Sequence, residues 1–203
     1  MKNILLVQSS PRLEQSTSRK VAENFINIAK SKYPELSVTV RDLTKTPVPH
    51  VDNDLINSYF TAPADRSKEA NEIIKFSDTL TDELLAADAI VLALPMWNFG
   101  VPSVVKAWID HVSRAGRTFT FTDQGPLGLA KGKKVYVVVT SGSVFSKGPF
   151  QKFDMLEPYL RTFFGFIGIE DLTIIRAEGI RDAADEASAI SKTNAEIASI
   201  FSA

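Results

Sequence analysis

Four short apolar runs, Ile4 to Val7, Ile90 to Leu94, Val135 to Val139 and Leu172 to Ile175, punctuate the chain, and each is rich in β-branched residues. Their hydrophobicity is continuous rather than alternating, as expected of strands covered by helices on both faces of a parallel sheet. A fifth segment, Leu36-Ser37-Val38-Thr39-Val40, alternates apolar with polar and belongs at a sheet edge, where one face can be wet. Between these runs lie helical patterns at Thr17 to Lys32, Asp65 to Ala87, Val104 to Ala115, Phe153 to Phe164 and Ala183 to Ser202. Strands alternating with helices of this length imply right-handed crossovers and an α/β fold, a doubly wound five-stranded sheet with helices on both faces. Ligands bind such sheets just beyond the carboxyl ends of the strands, so the segments that follow each strand are where chemistry is expected.

Composition narrows the class. The 203 residues fit one domain spanning 1–203, and the chain is 44% hydrophobic and 23% charged, as in ordinary globular proteins. With 23 basic and 24 acidic residues the net charge of −1 gives no polycationic footprint for nucleic acid and no pull toward anionic lipid. There is no cysteine, which excludes disulfides, thiol catalysis and cysteine-ligated metals; redox chemistry would need a bound organic cofactor, and the absence suits a reducing cytoplasm. The apolar stretch at the N-terminus is too short for a signal peptide or a membrane span and reads as a strand.

Three loops carry the functional signal. After the first strand, Ser9-Ser10-Pro11-Arg12-Leu13-Glu14-Gln15-Ser16-Thr17-Ser18 sets hydroxyls and an arginine at the start of a helix. Free N–H groups, the helix dipole and hydroxyl donors suit a phosphate monoester there, while a plain Ser16 helix cap among solvated hydroxyls explains the same residues. No Gly-x-Gly-x-x-Gly and no Gly-Lys-Ser/Thr follows that strand, which argues against a dinucleotide pyrophosphate site and a nucleotide hydrolase. In Leu94-Pro95-Met96-Trp97-Asn98-Phe99-Gly100-Val101-Pro102, two prolines hold the backbone extended and Gly100 relaxes it; Trp97 and Phe99 line a planar ring or plug the core. Thr140-Ser141-Gly142-Ser143-Val144 permits close approach of a ring, or is a solvated loop. All three leave strands at one edge of the sheet. A phospho-aspartate receiver would need acids where Gln8-Ser9-Ser10 and Pro95 stand.

Taken with Arg114-Ala115-Gly116-Arg117-Thr118-Phe119, Gly125-Pro126-Leu127-Gly128-Leu129, Gly132-Lys133-Lys134 and Phe163-Phe164-Gly165-Phe166-Ile167-Gly168, the first two of the three loops, at Ser10 to Ser18 and Pro95 to Phe99, resemble the FMN-dependent NADH:azo-compound and NADH:quinone oxidoreductases of the flavodoxin-like superfamily, from Met1 to about Gly179. The resemblance implies a flavodoxin-like sheet of order 2-1-3-4-5 and a homodimer with flavins near the subunit boundary. It also implies FMN held by Ser10, by Ser16, Thr17 and Ser18, by Met96, Trp97, Asn98 and Phe99, and by the loop Ser141, Gly142, Ser143 and Val144. The implied reaction is ping-pong hydride transfer from NADH or NADPH to quinones or azo compounds, with no metal and no assigned acid or base. No arginine pair is placed for a 2′-phosphate, which favours NADH. The sequence departs from the family at Trp97, where a tyrosine is common, and at Ser141 to Val144, where an arginine and two glycines are usual. A flavodoxin-type electron carrier would use similar loops, but its acidic surface is missing.

Two further features are open in function. Val48 to Pro63 is a long connection bearing prolines and asparagines, and Thr118 to Lys134 has the pattern of a hairpin, with Phe119 and Phe121 alternating before Gly125-Pro126. Either could reach over a ligand or a second subunit, and Phe60, Phe119, Phe121 and Phe150 suit an acceptor wall, a subunit seam or core packing. The two histidines, His50 and His111, read as loop and helix residues rather than catalysts.

Overall fold

The computed structural model describes residues 1–202. Its five main strands are β1 (Asn3–Gln8), β2 (Ser37–Asp42), β3 (Ala89–Pro95), β6 (Lys134–Ser141) and β7 (Asp171–Glu178), all parallel, in the order β2-β1-β3-β6-β7. Counting only these strands, that is the flavodoxin-like 2-1-3-4-5. The segment expected at an edge does lie at the edge, as β2, with Val40 exposed.

Period-two alternation divides each central strand between two cores. Leu5, Val7, Ile90, Leu92, Leu94, Val135, Val137 and Val139 face α3 (Lys68–Ala86), α4 (Ser103–Val112) and α5 (Leu156–Phe166). Ile4, Leu6, Ala89, Val91, Ala93, Tyr136 and Val138 face α1 (Thr17–Lys32) and α6 (Ala183–Ser202). Trp108, Phe25 and Phe164 are fully buried, each contributing about 1.5–3 kcal/mol by leaving water. The helix boundaries follow local chemistry. Ser67 caps α3 by accepting from the Ala70 N–H, so that helix begins after the 3-10 turn Pro63–Asp65 rather than at Asp65. At its other end, Lys133 Nζ donates to the Leu85 and Ala87 carbonyls.

The connection Val48 to Pro63 is not simply a loop. It contains α2 (Asn53–Phe60), started by Asp52, whose carboxylate accepts the Leu55 N–H at 2.9 Å. The expected hairpin is present: β4 (Phe119–Thr122) pairs antiparallel with β5 (Gly125–Gly128). Its base sits on the turn after α5 at backbone contact, and a Cβ added to Gly128 would lie 2.1 Å from the Gly168 nitrogen. No helix among the described residues is long and apolar enough to cross a membrane, and no cluster of acids and histidines there could hold a metal ion.

Candidate functional site

The carboxyl ends of β1, β3 and β6 open onto a cavity of about 290 Å³ lined by Ser10, Arg12, Ser16 and Thr17, by Pro95, Met96 and Trp97, and by Thr140, Ser141, Gly142 and Ile180. All three loops singled out in the sequence therefore meet there. A larger cleft of about 630 Å³ lies at the amino end of the sheet, beneath the hairpin. Of its three lysines, Lys133 is engaged by the Leu85 and Ala87 carbonyls and Lys134 by Asp171 at 3.4 Å, while Lys131 makes no hydrogen bond or ion pair among the described residues.

One wall is the start of α1. Ser16 is the N-cap, its Oγ accepting the Arg19 N–H at 3.4 Å, and its carbonyl accepts the Lys20 N–H at 3.1 Å. The N–H groups of Thr17 and Ser18 precede the first helical acceptor and remain free at the positive end of the dipole. The Ser18 side chain does something else: it is buried, and its hydroxyl bonds to that of Ser16 at 3.1 Å. Helical phase turns it toward the core with Val21, Ala22 and Phe25, so only its main chain is available to a ligand. The lining includes the cation Arg12 and, among the described residues, no carboxylate. Glu186 stands beside it, accepting from Thr17 Oγ1 and Lys20 Nζ, each at 2.9 Å; these donors hold its carboxyl below the usual range.

The second wall is a tight turn. Trp97 and Gly100 exchange both backbone hydrogen bonds, at 3.1 and 3.0 Å, and Asn98 and Phe99 between them have φ of 48° and 70°. This is the geometry of a primed hairpin turn, in which asparagine is favoured at the first central position and glycine ordinarily takes the second, where Phe99 stands. The conformational demand expected of Gly100 thus falls on Asn98 and Phe99. Both lie outside the cavity lining: Asn98 is exposed at the tip, and the Phe99 ring packs against Phe153 at 5.6 Å and Phe145 at 6.3 Å. The Phe99 carbonyl also accepts the Met155 N–H at 3.1 Å. Trp97 is 45% exposed and Met96 and Pro95 partly so, giving a flat apolar surface at the mouth.

The third loop is fixed from below. The Glu178 carboxylate accepts the N–H groups of Phe145 and Ser146, at 2.8 and 3.1 Å, and the Ser146 hydroxyl. Ser141 Oγ donates to the Ser143 carbonyl at 2.8 Å, leaving its lone pairs as acceptors, while the Thr140 hydroxyl has no partner among the described residues. Ser143 and Val144 shape the loop without lining the cavity. The sequence reading missed Ile180, brought in by the turn after β7, where its N–H donates to the Ser141 carbonyl at 3.1 Å. Its signal was its place just past a strand's carboxyl end.

Free N–H groups, hydroxyls and a cation beside a flat apolar wall fit a phosphate monoester attached to a planar ring. Of the two histidines, His111 is buried on α4, its Nε2 2.9 Å from the Pro49 carbonyl, and it does not line this cavity. Phe119 packs on Phe166 at 4.6 Å, whereas Phe60, Phe121 and Phe150 are exposed.

Comparison with known proteins agrees with that geometry. The model of the flavodoxin-like fold family matches residues 2–201. A protein of Herminiimonas arsenicoxydans named FMN-dependent NADH:quinone oxidoreductase is 47% identical over 195 residues, 96% of each chain. One of the same name from Beijerinckia indica is 45% identical over 200 residues, 98% of this chain and 99% of the other. The crystal structure of an azoreductase from Bacillus anthracis superposes with a TM-score of 0.89 at 32% identity, covering 99% of both chains. With identities this high over nearly its whole length, the chain belongs to the flavodoxin-like family of FMN-dependent NADH:quinone oxidoreductases and azoreductases.

Proposed function

We propose that the protein is an FMN-dependent oxidoreductase that takes hydride from NADH and reduces quinones, azo compounds or both. The observation that carries this reading is the single cavity in which a donor-rich helix start faces an aromatic turn across the sheet's carboxyl edge. Bound FMN supplies the two-electron chemistry that this cysteine-free chain lacks. In this reading Ser10, Ser16 and Thr17, with the main-chain N–H of Ser18, receive the phosphate. Met96 and Trp97 wall the ring, with Asn98 and Phe99 setting the turn that presents them. Thr140, Ser141 and Gly142 meet the ring's polar edge, on a loop shaped by Ser143 and Val144. NADH and acceptor take turns in one pocket, a ping-pong order, and NADPH is the weaker donor because no arginine pair is placed for its 2′-phosphate.

The 203 residues act as one domain, and two copies pair through exposed aromatic surface on the excursions, where Phe60 and Phe121 are 76% and 68% exposed. The near-neutral chain works in the cytoplasm on small molecules rather than on nucleic acid or a membrane. Purified protein should be yellow, release FMN on denaturation, and oxidise NADH in steady state with a quinone or azo dye. A colourless protein that takes up no FMN overturns the reading; FMN binding without turnover of any acceptor makes it an electron carrier instead.

A further inference from the structure

We propose that Arg19 is a positioning residue for the phosphate turn, an inference that rests on the FMN reading above. Arg19 is the third residue of α1, at the helix end where the dipole disfavours a cation, and it is 7% exposed. A buried guanidinium in that place needs a reason. Its Nη1 donates to Asp42 Oδ2 at 2.7 Å and its Nη2 to Oδ1 at 2.9 Å, a two-pronged pair with the last residue of β2. Burial pushes the Asp42 carboxyl up, but the Arg19 and Thr44 donors overcome it and hold it well below the usual carboxylate range.

The remaining hydrogen bonds go to the turn and the strand before it. Nε and Nη2 both donate to the Ser10 carbonyl, at 3.0 and 2.9 Å; Nη1 also reaches Gln8 Oε1 at 2.7 Å and Nη2 reaches Thr44 Oγ1 at 3.1 Å. Arg19 itself does not line the cavity, so it acts from behind. Its effect on the turn is directional. The peptide joining Ser10 to Pro11 has a carbonyl but no N–H, so turning it toward the cavity could present only an acceptor oxygen, which repels an anion. By drawing that oxygen inward, the guanidinium leaves the Ser10 hydroxyl and the start of α1 as the groups facing the ligand. A lysine supplies the charge without the fork and cannot hold Ser10, Gln8 and Asp42 together.

The discriminating measurement compares FMN with riboflavin, which has the same ring and no phosphate. Holoprotein is stripped of flavin and titrated with each by fluorescence quenching, for wild type, Arg19→Lys and Asp42→Asn, with circular dichroism to monitor the fold. Expected are an FMN affinity lowered about tenfold in each variant and a riboflavin affinity changed less than about twofold. Equal loss for both flavins, or no loss, overturns the positioning role. If neither variant folds, Thr44→Val, which removes one tether of the guanidinium, must still narrow the FMN-to-riboflavin ratio; an unchanged ratio there overturns it as well. Wild-type protein that shows no preference for FMN over riboflavin overturns the phosphate reading instead, before any variant is compared.

Discussion

His111 Nε2 lies 2.9 Å from the Pro49 carbonyl while its Nδ1 is buried with no partner among the described residues, so the ring is a neutral Nε2–H donor tying α4 to the segment before α2. Burial depresses its pKa below 6.5, more than the Pro49 carbonyl raises it. The unfolded chain therefore takes up a proton that the native ring refuses. The stabilisation is complete above about pH 6.5 and is lost progressively as pH falls below it. Denaturant midpoints at about pH 7.5 and about pH 5.5 should fall with acid in wild type. That slope should flatten in His111→Gln, and an unchanged slope would assign it to other groups.

Trp97 and Ser16 should separate ring from phosphate. Trp97→Ala removes the apolar wall and is expected to weaken FMN and riboflavin alike, by about tenfold, the scale of one lost aromatic contact. Ser16→Ala should weaken FMN alone and also cost about 1 kcal/mol of stability through the lost cap. Flavin titrations and urea denaturation of the two variants check both statements.

Gly128→Ala places a methyl group against the Gly168 backbone, where no side chain can yield. A loss of about 3 kcal/mol is expected, the upper end for overpacking. A melting temperature unchanged from wild type would mean that the hairpin base moves aside freely.

Phe121→Glu tests the proposed pairing. The ring is 68% exposed and touches Phe119 at 5.5 Å, so the substitution should spare the fold while weakening self-association. Light scattering should give twice the 22.3 kDa chain mass for wild type and a concentration-dependent lower mass for the variant.

Long, strongly patterned elements were legible because their own residues declare them: Thr17–Lys32 and Ala183–Ser202 keep their expected limits, and β1, β3, β6 and β7 extend the apolar runs by one to three residues at an end. Helix α2 escaped because Leu55 and Ser58 alone are buried in its eight residues, too few to show a period; Asp52 as a cap was the available sign. α4 stops at Val112, three residues before its apolar pattern suggested, because the chain turns there: the Thr118 hydroxyl donates to the Val112 carbonyl and accepts the Arg114 N–H. Within the site, Ser10, Ser16, Thr17, Met96, Trp97, Ser141 and Gly142 come together as expected. Ser18 could have been assigned to the core from its spacing with Val21, Ala22 and Phe25. Arg19 and Ile180 act through contacts with distant segments, which local pattern does not encode.

The turn at Asn98 and Phe99 has a kinetic consequence. Two side-chain-bearing residues stand in a conformation most avoid, and they are kept there by the paired Trp97–Gly100 hydrogen bonds and by the docking of Phe99 on Phe145 and Phe153. The receptor surface beside the cavity is thus preformed, and an arriving ring need not order it. Capture should follow a single concentration-dependent phase with no later rearrangement. Loosening Phe153, which never touches the cavity, should then slow arrival as well as hasten departure.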